Sequence, residues 1–163
     1  LDSKPFELFR MKKPQSSVVA RNRKARFNYF VQDTVEAGLV LNGGEVKSLR
    51  GGKSSIEEAY AAEVSGEFFL LNSYIPKYGN TFTREYDDRR PRKILLHKKE
   101  MIKLINSIAR EGITVIPLSL YFNIRGYAKV ELGVAKGKRK HEKRASIKER
   151  EWKREKSRLL KEQ

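Results

Sequence analysis

Three kinds of side chain could do chemistry here: clustered arginines and lysines, two histidines, and one pair of adjacent aspartates. His97 and His141 lie 44 positions apart among lysines, and neither stands with a Ser or Asp in an informative motif. No cysteine is present, so disulfides and thiolate metal sites are excluded. Asp87-Asp88 could hold a metal as in some nucleases. Arg89 and Arg90 follow at once with no third carboxylate near, so a solvated loop is the better reading. Gly43-Gly44 and Gly51-Gly52 lack phosphate-loop spacing, and no GxGxxG occurs. No cofactor and no catalysis are expected. What remains is recognition of a polyanion. Arg21-Asn22-Arg23-Lys24-Ala25-Arg26 stands just before Phe27, Tyr29 and Phe30. Guanidinium groups contact phosphates, and neighbouring rings can stack on unpaired bases. The cations suit RNA, whereas Phe27 and Phe30 read as core. Arg89-Arg90-Pro91-Arg92-Lys93 is a second basic cluster, and Lys136-Gly137-Lys138-Arg139-Lys140 a third.

Charge agrees with that reading. The 163 residues carry 36 Lys and Arg against 20 acidic residues, a net of +16. A field of that size attracts nucleic acid. Half of the excess sits on residues 136–163, which hold 13 Lys and Arg and 5 Glu. The apolar residues there, Ala145, Ile147, Trp152, Leu159 and Leu160, form no i, i+3, i+4 stripe. A membrane-surface helix needs such a face, so a membrane partner is not expected. Glu149 and Lys153 are spaced for an i,i+4 pair. The segment reads as a tail, disordered when free and helical on an anionic surface. No run approaches the roughly 18 apolar residues of a membrane span, and no secretory leader is visible.

The elements that must position these cations are mostly strands. Residues 27–33 alternate as a half-buried strand does, and residues 38–41 extend a second run. Asn42 and Glu45 form a capping box for a short helix over 46–50, stopped by Gly51-Gly52. Strands at 60–64 and 67–72 flank the hairpin signal Ser65-Gly66. A short strand follows at 92–96, then a helix at 98–110 with Gly112 as its stop. Residues 113–122 and 127–135 alternate again, joined by 123–126. The expectation is mainly β: a small antiparallel OB-like barrel of about six strands with two to three flanking helices. Residues 1–17 read as a mobile basic arm, 18–135 as the RNA-binding barrel and 136–163 as the tail.

Several strings, in order, resemble the small protein B (SsrA-binding protein) family. They are Asn22-Arg23-Lys24-Ala25-Arg26, Glu36-Ala37-Gly38, Glu45-Val46-Lys47-Ser48-Leu49-Arg50 and Arg92-Lys93-Ile94-Leu95-Leu96-His97-Lys98. Leu118-Ser119-Leu120-Tyr121-Phe122 and Val134-Ala135-Lys136-Gly137-Lys138 follow, then His141-Glu142-Lys143-Arg144 and Ile147-Lys148-Glu149-Arg150-Glu151-Trp152. The resemblance implies an OB-like barrel that grips the tRNA-like domain of transfer-messenger RNA (tmRNA). It also implies delivery, with elongation factor Tu on the aminoacylated RNA, to stalled bacterial ribosomes in the cytoplasm, or in an organelle matrix or stroma. The RNA-contact set would be Asn22, Arg23, Lys24, Arg26, Glu36, Lys47, Arg92, Lys93, Leu95, His97 and Lys98, with Glu36, Leu95 and His97 on the gripping face. In the family the tail enters the decoding centre and the vacant mRNA channel. That implies ribosomal contacts for Lys136, Lys138, Arg139, Lys140, His141, Glu142, Lys143, Arg144, Ile147, Lys148, Arg150 and Trp152. The family triplet usually opens with Asp where this chain has Glu142. Two alternatives stand beside this reading: a ribosomal or ribosome-assembly protein, and an RNA-processing enzyme using Asp87, Asp88 and a divalent metal.

Overall fold

The computed structural model describes residues 17–79 and 85–161. The element order is β1 (Ser17–Arg21), α1 (Ala25–Asn28), β2 (Tyr29–Leu39), α2 (Gly43–Arg50), β3 (Tyr60–Val64), β4 (Glu67–Leu71), β5 (Arg92–Leu95), α3 (Lys98–Ile108), β6 (Ile113–Phe122), β7 (Ala128–Gly137) and α4 (Lys140–Lys161). Every strand pairing is antiparallel. Strands β6, β3, β4, β5, β2 and β7 follow one another, and β7 returns to β6, so six strands close in a ring. β1 adds to β6 as a seventh, with Ser17 opposite Phe122 and Arg21 opposite Ser119.

The ring closes because one side chain in two along each strand is apolar and points inward. Ala37 and Leu39 of β2, Phe68 and Leu70 of β4, Val115 and Leu120 of β6, and Val130, Leu132 and Val134 of β7 fill the core. Leu49 of α2 and Leu104 of α3 join the same cluster, which sets the two helices against the ring. The β3–β4 hairpin turns through Ser65 and Gly66, both at positive φ (53° and 80°), the twist-matched two-residue turn. Asn42 Oδ1 accepts from the Glu45 N–H at 2.9 Å and Glu45 Oε2 from the Asn42 N–H at 3.1 Å, so the expected capping box is formed.

The structure departs from the sequence reading in four places. Among the described residues there are seven strands rather than about six, because 17–21 forms a strand, β1, that takes in Ser17, the residue expected to end a mobile arm; residues 1–16 of that arm lie outside the described residues. The two runs expected at 27–33 and 38–41 are one strand, β2, preceded by the single helical turn α1 that contains Phe27. Phe30 is not core: it is 47% exposed on the outer side of β2. β7 runs through Gly137, paired with Tyr29, so the body passes the expected boundary at 135.

Candidate nucleic-acid interface

The outer face of the ring across β2, β7, β6 and β1 carries two adjoining clefts. The first, about 410 Å³, is lined by Glu36, Gly38, Leu95, Leu96, His97, Glu100 and Lys129. Sequence reasoning placed Glu36, Leu95 and His97 on one surface, and the fold brings them together through the β2–β5 pairing. Gly38 lies opposite Leu95 in that ladder. A Cβ on residue 38 would stand 3.2 Å from the Leu95 Cβ, so glycine lets the two strands meet with Leu95 lifted to the surface. Leu95 is 52% exposed, an apolar contact on an otherwise ionic face. His97 heads α3, and its N–H donates to Glu100 Oε2 at 3.2 Å, leaving the exposed imidazole at the cleft edge. Lys98 follows it, exposed in the first turn.

Glu36 is held from two sides. The Tyr121 hydroxyl donates to its Oε2, and Lys129 Nζ lies 3.9 Å from its Oε1. Burial, together with this hydrogen bond and the charges of Glu36 and Glu131, holds the Tyr121 phenol well above its ordinary pKa. It therefore stays a donor throughout the physiological range. The carboxylate keeps about half its surface in solvent and can accept N–H groups from a base.

Across the Tyr121–Glu36 hydrogen bond lies the second cleft, about 640 Å³. Arg21, Asn22, Arg23 and Arg26 form its rim, and Ser119, Tyr121 and Glu131 lie beneath. Asn22 is more wall than contact: its amide Nδ2 donates to the Pro117 carbonyl at 3.2 Å. Lys24, at the start of α1, pairs with Glu57 at 3.1 Å. Lys47 and Lys93 stand elsewhere. Lys47 lies 6.0 Å from the Tyr78 ring centre on α2, and Lys93 on β5 pairs with Glu67 at 2.6 Å.

Arg92 is a correction. It is fully buried and cannot touch RNA. Its Nε donates to Glu45 Oε1 at 3.0 Å, Nη1 to the Ser73 carbonyl and hydroxyl at 2.6 and 2.9 Å, and Nη2 to the Asp88 carbonyl at 3.2 Å. Glu45, itself buried, also takes Arg90 Nε at 2.8 Å and Nη2 at 2.6 Å. Burial pushes the Glu45 carboxyl up, but Arg90, the Asn42 N–H and Arg92 outweigh it and hold the group below its ordinary range. The cluster bolts α2 to the segment between β4 and β5. The Asp87-Asp88 pair serves the same loop, Asp87 Oδ1 accepting the Arg89 N–H at 2.9 Å. Among the described residues no group of three or more His, Asp or Glu could hold a metal ion.

The tail is the helix α4, with no buried residue; Trp152 is 66% exposed. Its root is fixed to the body. The Lys138 N–H donates to the Asn28 carbonyl at 2.8 Å and its Nζ to the Arg26 carbonyl at 3.0 Å, 4.7 Å from the Phe30 ring centre. Glu142 Oε2 accepts the Arg139 N–H at 2.6 Å, closing the first turn. Lys136, Arg139, Lys140, His141, Arg144, Ile147, Lys148 and Arg150 are exposed, and Lys143 is half-buried. Arg150 lies 5.9 Å from the Phe27 ring centre.

Sequence reasoning missed Ser119, Tyr121, Lys129 and Glu131 as site residues. Alternation along β6 and β7 put them outside, but only the pairing of β7 with both β2 and β6 shows that they continue the Glu36 surface.

A closed antiparallel ring with two surface clefts, one of them arginine-rimmed, and a long charged helix defines a small basic protein built to meet a polyanion. The chain belongs to the SmpB family, whose model ("SmpB protein") matches residues 19–162. It is 55% identical over 147 residues to the SsrA-binding protein of Methylobacterium nodulans, covering 90% of this chain and 94% of that protein. It is 56% identical over 156 residues to the SsrA-binding protein of Brucella anthropi, covering 92% and 98%. A solved chain described as "tmRNA-SmpB: a journey to the center of the bacterial ribosome" superposes with a TM-score of 0.63 at 44% identity, covering 78% of this chain and 92% of that one.

Proposed function

We propose that this protein binds the tRNA-like domain of tmRNA through its body and helps deliver it to stalled ribosomes, where α4 occupies the decoding centre and the vacant mRNA channel. The observation that carries the reading is the cleft joining Glu36, the exposed Leu95 and His97, in a chain more than half identical to SsrA-binding proteins over nine-tenths of its length. A rigid ring recognises a folded RNA by shape, backbone and a few base contacts. The exposed helix α4 offers a row of cations to rRNA phosphates where no mRNA lies, so selection is steric rather than by codon. Elongation factor Tu joins through the aminoacylated RNA, and the setting is the bacterial cytoplasm. Among the described residues no helix is long and apolar enough to cross a membrane.

The test cuts the chain after Arg139, which keeps the Lys138 contacts with Asn28, Arg26 and Phe30 and the Tyr29–Gly137 pair and removes its contact with Ser146. The truncated protein is expected to stay folded and to bind the isolated tRNA-like RNA within about threefold of the full chain, with affinity falling steeply as salt rises. Tagging of stalled chains is expected to be lost. Full tagging by the truncated protein at equal RNA occupancy would refute the role of α4, and loss of RNA binding would refute the role of the body.

A further inference from the structure

The second cleft holds an anomaly of charge. In a protein of net charge +16, Glu131 shares a cleft with Arg21, Arg23 and Arg26, yet among the described residues it forms an ion pair with none of them. Its one hydrogen bond there is from the Ser119 hydroxyl to Oε2 at 3.1 Å. Glu131 also stands directly opposite Glu36 on the neighbouring strand, an unfavourable like-charge pair on one face. Tyr121, which lines this cleft, is bonded to Glu36, which lines the first. The fold thus keeps a carboxylate unneutralised beside three arginines whose charges are also unspent.

That arrangement matches the two ends of one nucleotide. Cations on the rim take a phosphate, and a carboxylate below takes N–H donors. Guanine is the base whose pairing edge offers two adjacent donors, N1–H and the N2 amino group, to a single carboxylate. Adenine and cytosine each offer one amino group beside a ring acceptor that a carboxylate would repel. The half-buried Tyr121 ring supplies a flat wall for the base, and the cleft has the volume of an ordinary small-ligand site.

We propose that this cleft binds one unpaired guanine nucleotide of the RNA, Glu131 accepting from the base and Arg21, Arg23 and Arg26 holding its phosphate. The inference rests on the RNA-binding reading above and adds a specificity-determining residue to it. The RNA strand that meets Glu36 continues over Tyr121 into the arginine cleft. Ser119 fixes the rotamer of Glu131, so the acceptor is set before the base arrives.

The probe is a five-nucleotide RNA, UUGUU, titrated against the full chain by fluorescence anisotropy, with adenine, cytosine or inosine at the centre in parallel. Guanine is expected to bind at least about fivefold more tightly than adenine or cytosine, the low end for one discriminating polar pair, with inosine, which lacks the N2 amino group, between them. Glu131→Gln should abolish that preference while the melting temperature stays within a few degrees. Arg23→Ala should weaken all four probes alike and flatten the salt dependence by about one counterion. Equal binding of the four probes by the parent protein, or a preference that survives Glu131→Gln, would overturn the assignment of Glu131. An Arg23→Ala protein of unchanged affinity would overturn the phosphate site. Binding of the tRNA-like RNA is measured beside these: if it persists while the probes show no base preference, only this inference fails, and if it too is absent, the functional reading fails.

Discussion

Replacing Arg92 by Ala separates two readings of the same residue. As a surface cation it would cost RNA affinity and little stability. As the buried partner of Glu45 it should cost stability first. The side chain donates to Glu45, to the Ser73 carbonyl and hydroxyl and to the Asp88 carbonyl. Glu45 would keep both Arg90 bonds and the Asn42 N–H, so its charge is not wholly stranded. The buried Ser73 carbonyl would lose this donor, at about 1–3 kcal/mol where water cannot reach it, whereas the half-buried Asp88 carbonyl would keep the Ile75 N–H at 3.0 Å. Breaking one side of a buried pair costs about 3–5 kcal/mol. We expect Arg92→Ala to fall in that range, a large part of the roughly 5–15 kcal/mol that holds a domain. Arg90→Ala should cost about 1 kcal/mol, because Arg90 is 34% exposed and water can replace it. The assay is urea unfolding at pH 7, read as a midpoint shift at constant slope, with RNA affinity normalised to folded protein. Glu45, whose folded pKa is depressed, contributes stability that is present above its unfolded pKa and lost as pH falls through the folded value. That acid slope should vanish in Glu45→Gln. An Arg92→Ala protein within about 1 kcal/mol of the parent, but tenfold weaker for RNA, would refute the argument.

Two further perturbations follow from the same geometry. Tyr121→Phe frees Glu36 and should weaken the tRNA-like RNA by about threefold to thirtyfold. Because the folded phenol titrates above the unfolded one, its stabilisation is complete below about pH 10 and is lost as pH rises toward the folded pKa; thermal melts from pH 8 to 11 should lose that alkaline slope in the variant. Glu142→Ala removes the acceptor for the Arg139 N–H and should fray the first turn of α4 by about 0.5–1 kcal/mol, read as lower far-ultraviolet helicity of the full chain. Unchanged helicity would remove Glu142 from the helix start.

Local signals were legible where one short segment contains both partners. The Asn42–Glu45 box and the Ser65-Gly66 turn are each decided within a few residues, and each is in place, whereas α3 ends at Ile108 with Ala109 as its cap and Gly112, at positive φ, belongs to the turn before β6. What alternation could not tell is which strands become neighbours. β1 was missed because 17–21 has no aromatic or branched run beyond two valines, and its pairing with β6 joins residues about a hundred positions apart. Arg92 was misread for the same reason. Within Arg89-Arg90-Pro91-Arg92-Lys93 it looks like one cation among four, and its partner Glu45 lies 47 positions away. Strand alternation does carry a hint: Ile94 is buried on β5, so Arg92, two residues before it, faces the same way. A charged residue at an inward position of a short strand calls for a buried counter-charge, and Glu45 in its capping box was already fixed inside.

Phe30 shows how the ring and the tail are joined. A phenylalanine on a long strand reads as core by composition, and beside arginines as a stacking platform for bases. It is neither. Its exposed ring faces Lys138, whose ammonium also bonds the Arg26 carbonyl and lies 3.4 Å from Ser146 Oγ, in the second turn of α4. Lys138 therefore spends its charge inside the molecule, on an aromatic face, a carbonyl and a helix hydroxyl at once. The three contacts come from α1, β2 and α4, so they fix the direction in which the tail leaves the ring. Beyond this root, Arg150 lies 5.9 Å from the Phe27 ring centre and holds α4 near α1. The helix is thus aimed by the body and then released from it. Apart from Lys153, which pairs with Glu149 at 2.8 Å, its outer cations can meet an external polyanion, while the orientation in which they are presented is set by residues of the ring.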